Sequence, residues 1–162
     1  MTTATETKPA SVMTADALLQ HWQGHRRLTR RTIEAFPEDK LFQFSIGGMR
    51  PFADLAFEFI NMAMPIVNGV STGKWEKFVG DKPTTKAGLL RLWDEQTAAI
   101  DEAFPAIPAA RFAETDTAFG FYTNTGTGMF EYAIDNEIHH RGQGYVYLRA
   151  LGIEPPHFWE RE

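Results

Sequence analysis

A chain of 162 residues with 16 Lys and Arg against 21 Asp and Glu, a net charge of −5 and 43% hydrophobic residues, has the make-up of one soluble globular domain large enough to bury a real core. The acidic balance argues against nucleic acid, which would ask for a basic face. The absence of cysteine removes disulfides, zinc knuckles and thiol nucleophiles, and suits a reducing cytoplasm.

The opening residues, MTTATETKPASVM, carry no apolar segment of the kind a secretory signal needs and read as a flexible tail over 1–13. A single domain is expected over 14–162. The first helical stretch begins where Thr14 can cap it. Leu18, Leu19, Trp22, Leu28 and Ile33 recur near helical spacing, and the pattern closes before Pro37. The second follows Gly47-Gly48, with Pro51 at its first turn, where a missing N–H costs little. Phe52, Leu55, Ala56, Phe59 and Ile60 mark its apolar side, and Asn68-Gly69 with Ser71–Gly73 is read as its end. Thr84 or Thr85 caps the third, in which Leu89, Leu90, Leu92, Trp93, Ala99, Ile100 and Ala103 run up to Pro105. Residues 105–128 look irregular apart from one extended piece, AFGFYTN. The fourth helix is expected from Gly128 to Leu151, stopped by Gly152 with Pro155-Pro156 beyond. Four amphipathic or nearly apolar helices, with no regular alternation of strands and helices, predict an all-α four-helix bundle. No apolar run approaches the ~18–20 residues that span a bilayer, so no membrane partner is expected.

Chemistry concentrates near the C-terminus, in NEIHHRGQGYVYLRALGIEPP over residues 136–156. At about 100° per residue, Phe130, Ala133, Ile134, Gly144, Leu148 and Leu151 form the apolar face of the last helix. His140 falls within that face, Asn136 sits at its border, and Glu137 points the same general way. His139 lies round toward the other side, beside Asp135 and Gln143. An inward histidine on a bundle helix is either a neutral imidazole in a buried polar network or a metal ligand. On the second helix, Glu58 sits between Phe57 and Phe59, where a carboxylate must be paired, protonated or bound to a cation unless it reaches solvent at the stripe's edge. If the second and fourth helices face one another, Glu58 meets His140. His21 and His25, four residues apart beside Arg26, Arg27, Arg30 and Arg31, suggest a solvated basic face, and His157 reads as an exposed tail residue.

The stretch HHRGQGYVYLRALGIEPP resembles the closing signature of the DinB-like family of bacterial proteins, the DinB/YfiT-like metalloenzymes. RPFADLAFEFIN is similar to the family's second-helix block, and LLQHWQGHRRLTRRTIEAFPEDKLFQFSIGGMR to its first helix and following loop. The resemblance spans roughly residues 14–158. It implies an antiparallel four-helix bundle, often a homodimer, holding a divalent metal through one histidine of the second helix and two of the fourth at i, i+4. Carried over residue by residue, the ligand positions are Glu58, Asn136 and His140, of which one alone is histidine here.

That set keeps one good oxygen ligand and one imidazole but replaces the third with a weak carboxamide, which lowers affinity for zinc, nickel, manganese or iron and leaves room for an empty site. Two functions then compete. In one, the altered site holds a metal that activates a low-molecular-weight thiol such as bacillithiol or mycothiol for transfer to an electrophile, with Tyr147 available to orient substrate. In the other, Glu58 and His140 pair across a metal-free site, and the bundle is a catalytically inactive module that binds a small ligand or a partner copy. The apolar HFWE segment is available for a dimer contact in either case.

Overall fold

A computed structural model describes residues 13–162, so the expected tail, apart from Met13, lies outside the described residues. Four long helices carry the fold: α1 (Ala15–Ala35), α3 (Phe52–Thr72), α4 (Lys86–Ala103) and α5 (Gly126–Ala150), with a six-residue α2 (Glu38–Gln43) between the first two. Two short 3-10 turns and an antiparallel hairpin, β1 (Thr115–Ala118) with β2 (Tyr122–Thr125), fill the connection from α4 to α5.

The ends of these helices follow from local chemistry. Threonine hydroxyls cap three of the N-termini: Thr14 accepts from the Ala17 N–H at 3.1 Å, and Thr85 and Thr125 each accept from a glycine N–H three residues on, also at 3.1 Å. Pro51 precedes α3, where an absent N–H is harmless. Helix α3 continues past Asn68-Gly69 and ends within the expected Ser71–Gly73, because Gly73 is the residue that takes the left-handed conformation (φ 74°) and returns its N–H to the Gly69 carbonyl at 2.8 Å. Helix α5 starts two residues earlier than expected, since Thr125 rather than Gly128 is its boundary.

The buried residues form two apolar clusters. One gathers Leu18 and Trp22 of α1, Ile66 and Val70 of α3, Ile100 of α4 and Phe130 of α5. The other gathers Ile33, Phe52, Phe59, Leu89, Trp93 and Leu148. The order in which each chain segment visits them sets the helix directions. Helices α1 and α5 run one way and α3 and α4 the other, giving an antiparallel four-helix bundle in which residues 73–85 cross back along its length. Helices α3 and α5 lie in close contact because Gly144 has no side chain: a Cβ there would fall 2.5 Å from the Phe52 ring.

Between the two clusters lies a buried polar layer, with Gln23, His25, Arg26 and Thr29 from α1, Gln96 from α4, and Glu137 and Arg141 from α5. The expected extended piece is a true hairpin, but its strands are TDTA and YTNT, and the apolar Phe119-Gly120-Phe121 is the tip between them. Phe119 has φ 53°, an uncommon conformation for a bulky residue. The hairpin is fastened to the end of α3: Arg111 donates to the Val70 carbonyl at 2.6 Å and to Asp116 at 3.2 Å, and the Trp75 indole donates to Asp116 at 3.1 Å.

Candidate functional site

The second and fourth long helices do face one another, and they bring the three carried-over residues together. The Glu58 Oε1 atom lies 3.4 Å from His140 Nε2 and accepts from Asn136 Nδ2 at 3.1 Å. The pairing follows from the period of two helices in contact. Asn136 and His140 are one turn apart on α5, and Glu58 projects from the matching level of α3, one residue before the buried Phe59, whose ring lies along the His140 imidazole at 6.1 Å.

Two further residues complete the arrangement. Arg50, in the loop before α3, sets its guanidinium 2.6 Å from Glu58 Oε2. Gln143 accepts at Oε1 from His140 Nδ1 at 3.0 Å, a bond in which Nδ1 carries a proton. Burial pulls the Glu58 carboxyl upward, but hydrogen bonds from Arg50 and Asn136, with the charges of Arg50 and His140, outweigh it and hold the group below the ordinary carboxylate range. Tyr147 is not turned toward this group. It is fully buried, and its hydroxyl donates to the Arg50 carbonyl at 3.0 Å, fixing the loop that delivers Arg50.

As a metal centre this donor set fits poorly. One Glu58 oxygen is engaged by a permanent cation, and the Asn136 amide turns its N–H₂ rather than its oxygen toward the other, with a second contact to Met62 Sδ at 3.4 Å. Among the described residues, no three or more His, Asp or Glu side chains gather closely enough to hold a metal ion.

Met62 also lines a neighbouring cavity of about 190 Å³ between α3, α5 and the hairpin, with Ile66, Phe119, Phe121, Met129 and Tyr132 among its walls. Phe121 is 80% exposed at its mouth. The volume slightly exceeds that of an engineered apolar cavity which takes up benzene.

Of the other histidines, His21 is exposed as expected and His25 is not. His25 is buried, not solvated: Arg141 Nη2 lies 2.9 Å from its Nδ1 and Arg161 Nη1 lies 3.2 Å from its Nε2. Burial, followed by the charges of Arg141, Arg161 and His21, pushes its pKa down to about 3. Arg26 is buried too, its guanidinium 4.1 Å from the Trp93 ring centroid. Glu137, read as sharing the direction of His140, is instead at the centre of the polar layer. It accepts from Thr29 at 2.5 Å and lies 3.7 Å from Arg141. Burial raises its pKa, against the pull of Arg26, Thr29 and Arg141. His139 and His157 are exposed, as expected.

Comparison with known proteins identifies the fold and the family. The chain is 24% identical over 151 residues to the uncharacterized protein YjoA of Bacillus subtilis, covering 91% of this chain and 97% of that one. The YjoA crystal structure superposes with a TM-score of 0.72 at 21% identity, over 90% of this chain and 98% of its own. A DinB-like protein from Bacillus cereus gives 0.73 at 19% identity, over 92% and 100%. A mutant of a mycothiol-dependent maleylpyruvate isomerase gives 0.62 at 13% identity, over 86% of this chain and 68% of its own. The sequence profile of the DinB family matches residues 8–161, nearly the whole chain, and the protein belongs to that family.

Proposed function

We propose that this DinB-family protein is a metal-independent small-ligand-binding bundle. Its Glu58, Asn136 and His140 form an ion-paired polar wall, and its ligand is a small apolar or aromatic molecule held beneath the hairpin. The observation that carries the reading is the Arg50–Glu58 contact of 2.6 Å. A guanidinium cannot be deprotonated at physiological pH, so a divalent cation would have to bind beside a fixed positive charge and share its carboxylate. The cavity at Met62 supplies the binding volume, with thioether and aromatic walls that adapt to varied apolar shapes. Homodimerisation belongs to the same proposal. Val146 on the outer side of α5 and Trp159 after it are 54% and 63% exposed, apolar surface that a second copy would cover.

A second reading has one observation in its favour. With the proton on Nδ1, the His140 Nε2 lone pair points toward Glu58 Oε1 at 3.4 Å, a spacing that two ligands of one ion can adopt at bond lengths of about 2.0–2.2 Å. The Gln143 contact would then orient the ligating ring. Under this reading the protein is a metal-dependent, thiol-using transferase with Glu58, Asn136 and His140 as ligands. The mycothiol-dependent isomerase on the same fold gives that idea its chemical precedent.

Calorimetric titration of tag-free protein with zinc, nickel and manganese separates the two. Our reading expects no stoichiometric uptake by the wild type and a gain on Arg50→Ala, which frees the carboxylate, while indole raises the melting temperature of the wild type and not of Met62→Lys. Stoichiometric metal in the wild type, lost on Glu58→Ala and on His140→Ala, would overturn it. Light scattering on the same samples reads the dimer.

A further inference from the structure

We propose that the cavity between α1, α5 and the C-terminal segment is a second, separate binding site, for an organic carboxylate. The cavity measures about 420 Å³ and is lined by His21, His25, Arg141 and Arg161, with Ile138 and Phe158 among its other walls. That size lies within the range of ordinary small-molecule sites. The chain as a whole is acidic, yet among the described residues no Asp or Glu lines this cavity. Its polar side is made almost wholly of nitrogen donors.

The arrangement around His25 shows that those donors are short of acceptors. Arg141 Nη2 approaches one ring nitrogen at 2.9 Å and Arg161 Nη1 the other at 3.2 Å. A neutral imidazole has one acceptor nitrogen, and the second carries a proton. Whichever tautomer is present, one guanidinium N–H edge faces another N–H, and protonating the ring would make both contacts donor against donor. Arg141 has other partners: its Nη1 donates to Thr29 at 3.0 Å and to the His25 carbonyl at 3.3 Å, and lies 3.7 Å from Glu137. The Glu137 carboxylate is turned into the bundle toward Thr29, behind the cavity wall. An arginine from the C-terminal segment has therefore been brought to a buried arginine-histidine pair with no counter-charge among the described residues of the cavity.

The placement of Arg161 is held by backbone groups, its own Nε donating to the Phe158 carbonyl at 3.3 Å. Its carbonyl accepts from Arg27 Nε at 2.8 Å, its Cβ would lie 3.3 Å from one built on Gly24, and Glu160 lies 3.6 Å from Arg31. The C-terminal segment is thus seated on α1 with the guanidinium carried inward. A carboxylate entering the cavity supplies two acceptor oxygens, matching the planar donor edge of an arginine, and His21 stands exposed at the same opening. Opposite the cations, Ile138 and Phe158 are 39% and 60% exposed. An oxyanion at one side and apolar surface at the other select a monocarboxylate with a short aliphatic or aromatic body. They do not select a compact inorganic ion, which would leave that surface wet.

The test uses benzoate against the full-length protein, with benzamide as the uncharged isostere and inorganic phosphate as the compact anion. Benzoate binding is read by calorimetry and mapped by amide chemical shifts. Benzoate should bind at least about tenfold more tightly than benzamide or phosphate, and Arg161→Gln should weaken it by about tenfold or more, the loss expected for a charge-assisted contact. Phe158→Ser should weaken benzoate with little effect on phosphate. The shifts should cluster at residues 21–25, 138–145 and 158–161. Equal affinity for benzoate and benzamide, an unchanged Arg161→Gln protein, or shifts that cluster at Met62 and Phe121 instead would each overturn the proposal. Arg141 is left in place because its burial makes a folding failure indistinguishable from a binding failure, whereas Arg161 lies on the surface segment.

Discussion

Helix α5 carries two polar pairs of identical spacing, Asn136 with His140 and Glu137 with Arg141, displaced from one another by a single residue and so by about 100° around the helix. The first pair faces α3 and stays within reach of water: the His140 side chain is 15% exposed and its partner Glu58 29%. The second faces α1 and is sealed, with Arg141 at 6% and Glu137 at 2%. The ligand positions that the family resemblance implies fall on the accessible pair, while the more stringent electrostatics belong to the more deeply buried one. Burial of a charge thus does not by itself mark a functional group. In this bundle the buried pair fastens α1 to α5 and only its Arg141 reaches a cavity, while the accessible pair meets solvent on the α3 side.

The largest expected effect comes from breaking the sealed pair. Glu137→Ala leaves Arg26 and Arg141 buried with less counter-charge and should cost about 3–5 kcal/mol of stability, whereas Glu58→Ala should cost about 1 kcal/mol or less, because its partners can turn to water. Urea unfolding at neutral pH reads both. The double replacement Glu137→Leu with Arg141→Met should lose less than Glu137→Ala, since a well-packed apolar pair carries no uncompensated charge. Equal losses for Glu137→Ala and Glu58→Ala would erase the distinction between the two faces.

Much of the bundle was legible because it depends on local rules. Thr14 and Thr85 cap where they were expected, Pro51 opens α3, and Gly152 closes α5. The meeting of Glu58 with His140 could be anticipated because a carboxylate between two phenylalanines has few ways to be satisfied. Helix α2, at six residues, is too short to show a period. Arg50 could not be found at all: it comes from a loop, eight positions before its partner, and no spacing rule joins the two.

His25 and Arg26 were misjudged for a different reason. Four arginines nearby suggested a solvated face, but Trp22, Arg26, Thr29 and Ile33 form one stripe at helical spacing, and that stripe is buried. What covers Arg26 is Trp93, which returns 67 residues later in the chain to stack on the guanidinium and donate to the Arg26 carbonyl at 3.2 Å. The periodicity held the signal, and charge counting obscured it.

The next effect sharpens the comparison through pH. His25 is neutral in the folded protein down to about pH 3, because of burial and the charges of Arg141, Arg161 and His21, while in the unfolded chain it takes up a proton near pH 6.5. The unfolded state therefore binds more protons between those values, and stability rises with pH across that window. The contribution is complete above about 6.5 and is lost on acidification at up to about 1.4 kcal/mol per pH unit. Because burial raises the Glu137 pKa, which contributes with the opposite sign, the informative quantity is the difference between wild type and His25→Asn. That difference should shrink steadily from pH 6.5 to pH 4. If it is the same at both ends, the imidazole does not stay neutral and the sealed layer tolerates a third cation.

The smallest effect probes the accessible face alone. Arg50 and Glu58 are 51% and 29% exposed, so their attraction acts through water-rich surroundings. A double-mutant cycle with Arg50→Ala and Glu58→Gln should give a coupling of about 1 kcal/mol or less. It should fall further in 1 M salt, where the screening length is about 3 Å. The corresponding cycle on Glu137 and Arg141 should change less with salt, since the Glu137 carboxylate is only 2% exposed and is turned away from the cavity that Arg141 lines. A coupling across Arg50 and Glu58 that resists salt would mean that water is excluded there as well. The ligand-binding reading would then lose its open approach to the polar wall, and both faces of α5 would have to be counted as scaffold.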